Sequence, residues 1–107
     1  MSRERLKGHL DLLLLSLLAA GPAHGYAIIA ALRARSEGTF DLPEGTVYPA
    51  LHRLEDAGLV ASSWANADGR KRRVYTLTRK GATALAAEQA EWKRFSSGVH
   101  AVLGWSA

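Results

Sequence analysis

The order of apolar and polar residues predicts three helices before Gly58. Residues 9–20 are apolar on nearly every side, which is typical of a helix that neighbouring elements cover. Gly21-Pro22 ends this segment, and apolar residues then recur at helical spacing until about Glu37-Gly38. A third repeat, at intervals of three and four, predicts a helix over about residues 47–57. Gly58 follows it and marks its end, because glycine is the usual C-terminal cap.

The third helix has a proline near its start. We predict that Thr46 is the N-cap, which places Pro49 at the third helical position. An N–H group in the first turn has no intrahelical acceptor, so a proline there costs the helix no hydrogen bond. Pro49 is therefore compatible with the predicted helix start.

Two strands and a long helix are predicted to follow. Residues 59–64 and 72–77 can each form a short strand, and Asp68-Gly69 in the connecting segment is a strong turn signal for a hairpin. Thr78 is a suitable N-cap for a fourth helix that runs to about Val102. The predicted fold class is mainly α with a small β-hairpin.

This order of elements is that of a winged helix-turn-helix followed by a long C-terminal helix. We assign residues 1–78 to a winged helix-turn-helix DNA-binding domain and residues 79–107 to a C-terminal dimerisation helix. In this arrangement the third helix enters the major groove of DNA, and the hairpin tip reaches the flanking backbone or the minor groove.

Length and composition exclude several classes of protein. A chain of 107 residues fits one domain, and its core is too small to enclose a substrate and a catalytic centre without a partner chain. The absence of cysteine excludes disulfides, thiolate nucleophiles and cysteine-ligated metal centres, and it fits a reducing cytoplasm. The four histidines form no pair at i,i+4, and no nucleophile has a matched base. We therefore predict no enzyme activity, catalytic residue, metal or cofactor.

The N-terminal segment imitates a secretory signal peptide, because the basic residues 1–7 precede the apolar residues 12–18. Asp11 and Ser16 interrupt its apolar character, and it is shorter than the roughly 18 apolar residues that a membrane span needs. We expect a buried helix of a cytoplasmic protein, with no export signal and no membrane contact.

Basic residues are concentrated near the predicted hairpin. Residues 69–81 contain six of the 14 lysines and arginines and none of the 10 acids. The formal charge of the chain is +4, so the residues outside this segment carry −2. A basic patch on a mildly acidic body indicates a docking surface for a polyanion, most often nucleic acid. The alternative is a solvated hairpin that is basic for solubility.

Four segments resemble the PadR family of bacterial transcription regulators. They are LDLLLLSLL at 10–18, GPAHGY at 21–26, GTVYPALHRLEDAGLV at 45–60 and RRVYTLTRKG at 72–81. The resemblance covers about residues 6–103. It implies a winged-helix repressor that binds double-stranded DNA and dimerises through its C-terminal helix. It also implies a compact subclass that lacks the extra helical domain of longer members.

The third helix supplies the first candidate DNA contacts. The start of a helix directs N–H groups and short polar side chains at phosphates or base edges. Tyr48 and His52 are four residues apart and share a face turned away from the apolar positions. The resemblance implies that the family's tyrosine in this motif, here Tyr48, contacts DNA. For Tyr48 the alternative is a packed side chain whose hydroxyl is satisfied within the protein. For Arg53 the alternative is a surface ion pair with Asp56, three residues on.

The hairpin and the second helix supply further candidates. Arginine in a hairpin tip suits phosphates and a narrow minor groove, while Val74 and Leu77 are expected to contact the core. His24 is predicted to cap the second helix and Tyr26 to reach a phosphate. The candidate DNA-binding residues are Tyr26, Thr46, Tyr48, His52, Arg53, Arg70, Lys71, Arg72 and Arg73.

The last helix carries an apolar stripe. Its residues recur at intervals of seven and three, as in a coiled-coil seam. One helix on a small domain cannot bury such a stripe, so we predict a homodimer in which the first helix also takes part. Two copies could place their reading helices about 34 Å apart, one turn of DNA. The predicted dimerisation residues are Leu85, Trp92, Phe95, Val99 and Val102.

Trp92 has a second candidate role. In some compact PadR members, aromatic residues of the last helix from both chains line a pore that accepts flat hydrophobic ligands. Trp92 resembles such a residue, so a small hydrophobic or aromatic effector is a candidate partner. The alternative is that Trp92 is an interface anchor only.

These observations predict a homodimeric, cytoplasmic repressor that binds an inverted-repeat operator and is released by a small hydrophobic ligand. The alternative is a basic dimeric interaction protein whose hairpin docks RNA or an acidic partner. The two differ in sequence specificity, because an electrostatic binder depends steeply on salt and discriminates little among sequences. No role is predicted for Trp64 or Trp105.

Overall fold

The computed structural model describes Leu6 and residues 8–105 of the chain, and the other residues of the basic N-terminal segment lie outside this description. The described helices are α1 (Leu10–Ala19), α2 (Gly25–Arg35), α3 (Glu44–Asp56) and α4 (Arg79–Leu103). The strands are β1 (Ala23–His24), β2 (Val60–Ala67) and β3 (Arg70–Leu77), which form one antiparallel sheet in the order β1-β3-β2. This architecture confirms the predicted winged helix-turn-helix with a long C-terminal helix.

The core lies where α1, α2 and α3 meet the base of the hairpin. The first helix contributes leucines from several sides, as its nearly uniform apolar sequence predicts. Burial of these side chains is the main favourable contribution to folding, roughly 1.5–3 kcal/mol for each fully buried large one. The core residues are Leu10, Leu14, Leu15, Leu18, Ile28, Leu32, Val47, Ala50, Leu51, Leu54, Val60, Tyr75 and Leu85.

The hairpin is longer than predicted. We expected strands over 59–64 and 72–77 with a seven-residue connection, but pairing continues without interruption from Val60↔Leu77 to Ala67↔Arg70. Asp68 and Gly69 both have positive φ, 52° and 75°, as a type I′ turn requires. This turn matches the twist of the strands and leaves every residue up to it free to pair. The wing, defined here as residues 60–77, is therefore a regular ribbon.

The start of α3 differs from the prediction. The helix begins at Glu44 with Pro43 as the N-cap, so Thr46 is not the cap. The Pro43 carbonyl accepts the N–H groups of both Thr46 and Val47. Pro49 consequently lies at the sixth helical position, where it removes the donor for the Gly45 carbonyl. The helix continues because buried side chains on both sides of Pro49 hold it against the core.

The inward residue of β3 also differs from the prediction. Side chains alternate across a strand, so Val74 and Leu77 cannot face the same side. Tyr75 is 1% exposed and Leu77 packs against the same core, whereas Val74 faces the other side of the sheet opposite His24. The expected core contact of Val74 was therefore wrong.

The C-terminal helix joins the core only through its first two turns. Thr78 caps it as predicted, accepting the Gly81 N–H at 3.0 Å, and Gly104 ends it with φ 76°. Gly81 and Leu85 are its buried residues. Leu85 thus lies in the core of its own chain and not on the exposed stripe to which we assigned it. Within residues 8–105, no helix is long and apolar enough to cross a membrane.

Candidate nucleic-acid interface

The outer surface of α3 presents polar residues from its first to its last turn. His52 and Arg53 are exposed, and Thr46 and Tyr48 are half-buried. The buried residues of α3 occupy the opposite side and fix the helix against α1 and α2. The outer side is therefore accessible to a partner at His52 and Arg53 in the single chain.

Tyr48 lies across the start of α2. Gly25 is the first residue of that helix, and a Cβ added there would be 2.6 Å from the Tyr48 hydroxyl oxygen and 2.7 Å from its Cζ. Only glycine leaves room for the ring at this position. Tyr48 therefore packs partly on α2, and its hydroxyl is directed to the N-terminal end of that helix.

The N-terminus of α2 is built from the segment 23–26. The Nδ1 atom of His24 accepts the Ala27 N–H at 3.2 Å, which confirms the predicted cap. Pairing of His24 with Val74 attaches this helix start to the wing. Tyr26 follows the cap and is 64% exposed. The arrangement brings Tyr26 and Tyr48 to the same end of α2.

Arg53 is paired, but not with the predicted residue. Its guanidinium donates to both carboxylate oxygens of Asp11, at 3.0 Å and 2.6 Å, and Asp56 takes no part. The hydrogen bond to Asp11 raises the pKa of Arg53. Asp11 belongs to α1, and its distance in sequence explains why helical spacing did not reveal it. Arg53 thus bridges α3 to α1 while its side chain remains 58% exposed.

The basic residues of the wing divide between its two faces. Alternation places Lys71 and Arg73 on the face that Tyr75 turns to the core, and Arg70 and Arg72 on the opposite face. Arg70, Lys71 and Arg73 are exposed. Arg72 is half-buried, and its Nε atom is enclosed without a hydrogen-bond partner in the described part of the chain.

Arg73 connects the wing to α3. Its Nε donates to the Ser62 hydroxyl at 2.8 Å, and that hydroxyl donates to Glu55 Oε2 at 2.6 Å. A guanidinium nitrogen of Arg73 also lies 3.7 Å from the same Glu55 oxygen. Burial raises the pKa of the neighbouring Tyr75, an effect that Arg73 opposes and Glu55 reinforces. Sequence reasoning missed Glu55 and Ser62, because their contact with Arg73 depends on where the hairpin packs.

The distal part of α4 has an uncovered apolar side. Trp92 is 43% exposed, Phe95 61% and Val102 89%, and Val99 is also exposed. A groove of about 690 Å³ runs between this side and α1. Its walls are mostly apolar, and the His9 ring meets Trp92 edge-on with 4.9 Å between centroids. The lining residues are Leu6, His9, Leu12, Leu13, Phe40, Trp92, Phe95, Ser96, Val99, His100 and Trp105.

Sequence reasoning proposed Trp92 as a ligand contact and assigned Phe95 to the dimerisation stripe only. It missed Phe40, which reaches the groove from the loop after α2. Among the residues that the structure describes, no group of three or more histidine, aspartate or glutamate side chains is placed to hold a metal ion.

Comparisons with known proteins agree with this geometry. Residues 14–87 match the model of the Transcriptional regulator PadR-like family. A PadR family transcriptional regulator from Eggerthella lenta is 35% identical with a TM-score of 0.80, and the match covers 94% of this chain and 86% of that one. A PadR-like regulator from Bacillus cereus gives a TM-score of 0.85 at 26% identity, covering 96% and 99%.

A transcriptional regulator of Mycobacterium tuberculosis is 51% identical over 45 residues, which is 42% of each chain. The family match spans more than half of the present chain and includes α2, α3 and the wing. The chain therefore belongs to the PadR-like family, whose members are transcriptional regulators and not enzymes.

Proposed function

We propose that this protein is a cytoplasmic repressor that binds an inverted-repeat operator as a homodimer and is released by a small hydrophobic ligand. The observation that carries the proposal is the continuity of the outer side of α3 with a basic wing, joined through the contacts of Glu55 with Ser62 and Arg73. In this proposal residues 1–78 bind DNA and residues 79–107 dimerise.

The outer side of α3 supplies the contacts in the major groove. Thr46 and His52 reach base edges, and Tyr48 reaches a phosphate or base from the end of α2, where Tyr26 adds a second hydroxyl. The exposed Arg70 and Lys71 and the half-buried Arg72 contact the flanking phosphates, where cations add affinity without sequence preference. Arg53 and Arg73 each form an ion pair with a carboxylate, of Asp11 and Glu55 respectively. Their contribution is therefore mainly to hold α3 in place.

A second copy of the chain covers the apolar side of α4. Phe95 and Val102 are more than half exposed in the single chain, and water contact with so much apolar surface is unfavourable. An isologous pairing buries this side on both chains at once. It also encloses the groove beside α1, so that the ligand site forms only in the dimer.

The effector site is this groove. Its volume of about 690 Å³ lies within the range of small-molecule sites, and its walls are mostly apolar. Trp92 and Phe95 offer flat surfaces for an aromatic ligand. Binding there changes the angle between the two DNA-binding domains and thereby the spacing of the two α3 helices.

Selection of bound sequences from a random duplex pool tests the operator proposal. The expected winner is a palindrome with half-sites about one turn apart. Its affinity, compared with scrambled DNA at two salt concentrations, should exceed non-specific binding by about 10³-fold or more. Uniform binding that falls steeply with salt contradicts the proposal and favours a basic interaction protein that docks RNA or an acidic partner.

A further inference from the structure

The wing carries an exposed tryptophan to which the interface described above gives no role. Trp64 pairs with Arg73 across the hairpin and is 62% exposed. In the described part of the wing it is the one large apolar side chain with this exposure. A single exposed apolar residue is common on protein surfaces, so its meaning depends on its position and neighbours.

Trp64 lies on the face of the wing that continues from the core. Three cross-strand pairs follow one another outward on this face, because residues two apart in a strand point the same way. In the first pair one residue is buried and the other half-buried, whereas the residues of the next two pairs are exposed to solvent. We call this set the wing strip, and it consists of Ser62 with Tyr75, Trp64 with Arg73 and Asn66 with Lys71.

The wing strip lies on the side of the hairpin that α3 occupies. Its inner end contacts Glu55 of α3 through Ser62 and Arg73. Any partner seated on the outer side of α3 and extending along the hairpin therefore meets Trp64 before it meets Lys71.

Arg73 holds the indole in place. Its guanidinium carbon is 5.5 Å from the centre of the Trp64 ring, on one face of the indole. The Ser62 hydroxyl and the Glu55 carboxylate fix the same guanidinium from the other end. Arg73 is therefore a positioning residue: it pairs with Glu55 at 3.7 Å and orients Trp64.

We infer that Trp64 packs on the deoxyribose edge of the DNA duplex that α3 reads, and that it gives the wing an apolar contact beside its ionic ones. This inference rests on the proposed function. The partner is a polyanion because two exposed cations, Arg73 and Lys71, lie beside the indole on its own face of the wing, whereas a protein partner would need further apolar residues there. The sugar offers C–H groups between phosphates that Lys71 can reach.

The test compares two variants of the wing strip, Trp64→Ala and Lys71→Gln, on the selected duplex across a range of salt concentrations. An apolar contact releases no counterion, so Trp64→Ala should weaken binding about tenfold while the slope of log K against log salt stays unchanged. Lys71→Gln should reduce that slope by about one unit. Trp64→Phe retains an apolar ring and should recover most of the affinity.

Ser63→Ala is the matched control, because Ser63 is an exposed residue of the same strand on the opposite face of the wing. It should bind the duplex like the unchanged protein. Tryptophan fluorescence provides a second measurement. Duplex DNA should change the tryptophan emission of the unchanged protein, and this change should be absent in Trp64→Phe.

Binding by Trp64→Ala that equals that of the unchanged protein overturns the inference but leaves the operator proposal standing. A loss of affinity in Trp64→Ala that is accompanied by a smaller salt slope also overturns the inference, because Trp64 would then act only by positioning charged side chains against the phosphates. Failure of the unchanged protein to bind any duplex overturns both.

Discussion

At the scale of single residues, local contacts could be predicted from the sequence and distant ones could not. His24 and Thr78 act as N-caps because each bonds an N–H three residues on, within its own element. Arg53 instead pairs with Asp11, 42 positions away, although a carboxylate three residues along its own helix was available. The choice depends on how α3 packs on α1, and helical spacing carries no information about that.

Gly25→Ala tests the contact between α2 and the tyrosine of α3. The added Cβ would overlap the Tyr48 ring, so the ring must move and the free energy of unfolding should fall by about 1–3 kcal/mol. Urea unfolding monitored by circular dichroism measures this change. The double variant with Tyr48→Ala should show a smaller effect of the added methyl group, and equal effects in both backgrounds would contradict the contact.

Tyr75→Phe tests the buried phenol at the base of the wing. Burial raises the pKa of Tyr75 above its ordinary value of 10, so the folded chain retains the neutral phenol at a pH where the unfolded chain ionises. This contribution to stability is complete below pH 10 and is lost as the pH rises through the folded-state pKa.

The unchanged protein should therefore lose stability relative to Tyr75→Phe as the pH rises above 10. Thermal unfolding of both proteins across this range gives the difference. Tyr26→Phe removes a hydroxyl from an exposed position and serves as the control. Parallel pH profiles for Tyr75→Phe and the unchanged protein would be inconsistent with burial of the phenol.

At the scale of elements, the order and type of helices and strands could be predicted from apolar periodicity and turn residues. The predicted boundaries that were wrong are those where two features of the sequence pointed to different residues. Thr46 and Pro49 together resemble a helix start, but α3 begins earlier and includes Pro49, because burial around the proline outweighs one lost hydrogen bond. The strand ends were set by the turn geometry at Asp68 and Gly69, which allows pairing up to the turn itself.

Two glycines of different helices give a matched test of element packing. A Cβ at Gly81 would overlap the Leu59 carbonyl oxygen and lie 2.7 Å from Leu77 Cδ1. Gly81→Ala should therefore push α4 away from the wing and destabilise the fold by about 3 kcal/mol. Gly45→Ala, where a Cβ meets nothing within 4 Å, should stabilise by about 0.5–1 kcal/mol. Similar effects of the two substitutions on urea unfolding would contradict the close approach of α4 to Leu59.

At the scale of the whole molecule, the sequence predicted the basic wing and the apolar stripe of α4, because both depend on composition along one element. It did not predict which basic residues share a face with α3, nor that Leu85 belongs to the core. Both depend on where the hairpin and the first turns of α4 pack. The groove beside α1 could not be predicted either, because Phe40 lines it together with Trp92 and only folding brings these two residues to the same groove.

Phe95→Glu tests whether the apolar side of α4 joins two copies. A carboxylate at this position would be buried without a partner in a mostly apolar interface, so the dimer should dissociate at least tenfold more readily in sedimentation equilibrium. The melting temperature should also lose its dependence on protein concentration. Ser97→Glu places the same charge on the same helix at an exposed position outside the groove and should leave association unchanged. Equal association of both variants would exclude this side of α4 as the interface.

The regular pairing of the wing limits how its length can change. Insertion of one residue into β2 just before Trp64 would reverse every side chain from there to the turn, so that Trp64 would move to the face that Ser63 and Ala65 occupy. Insertion of two residues per strand would keep the faces and only lengthen the ribbon. We therefore expect wings of this kind to vary in length by two residues per strand as they diverge, and odd changes to require a β-bulge that restores the alternation.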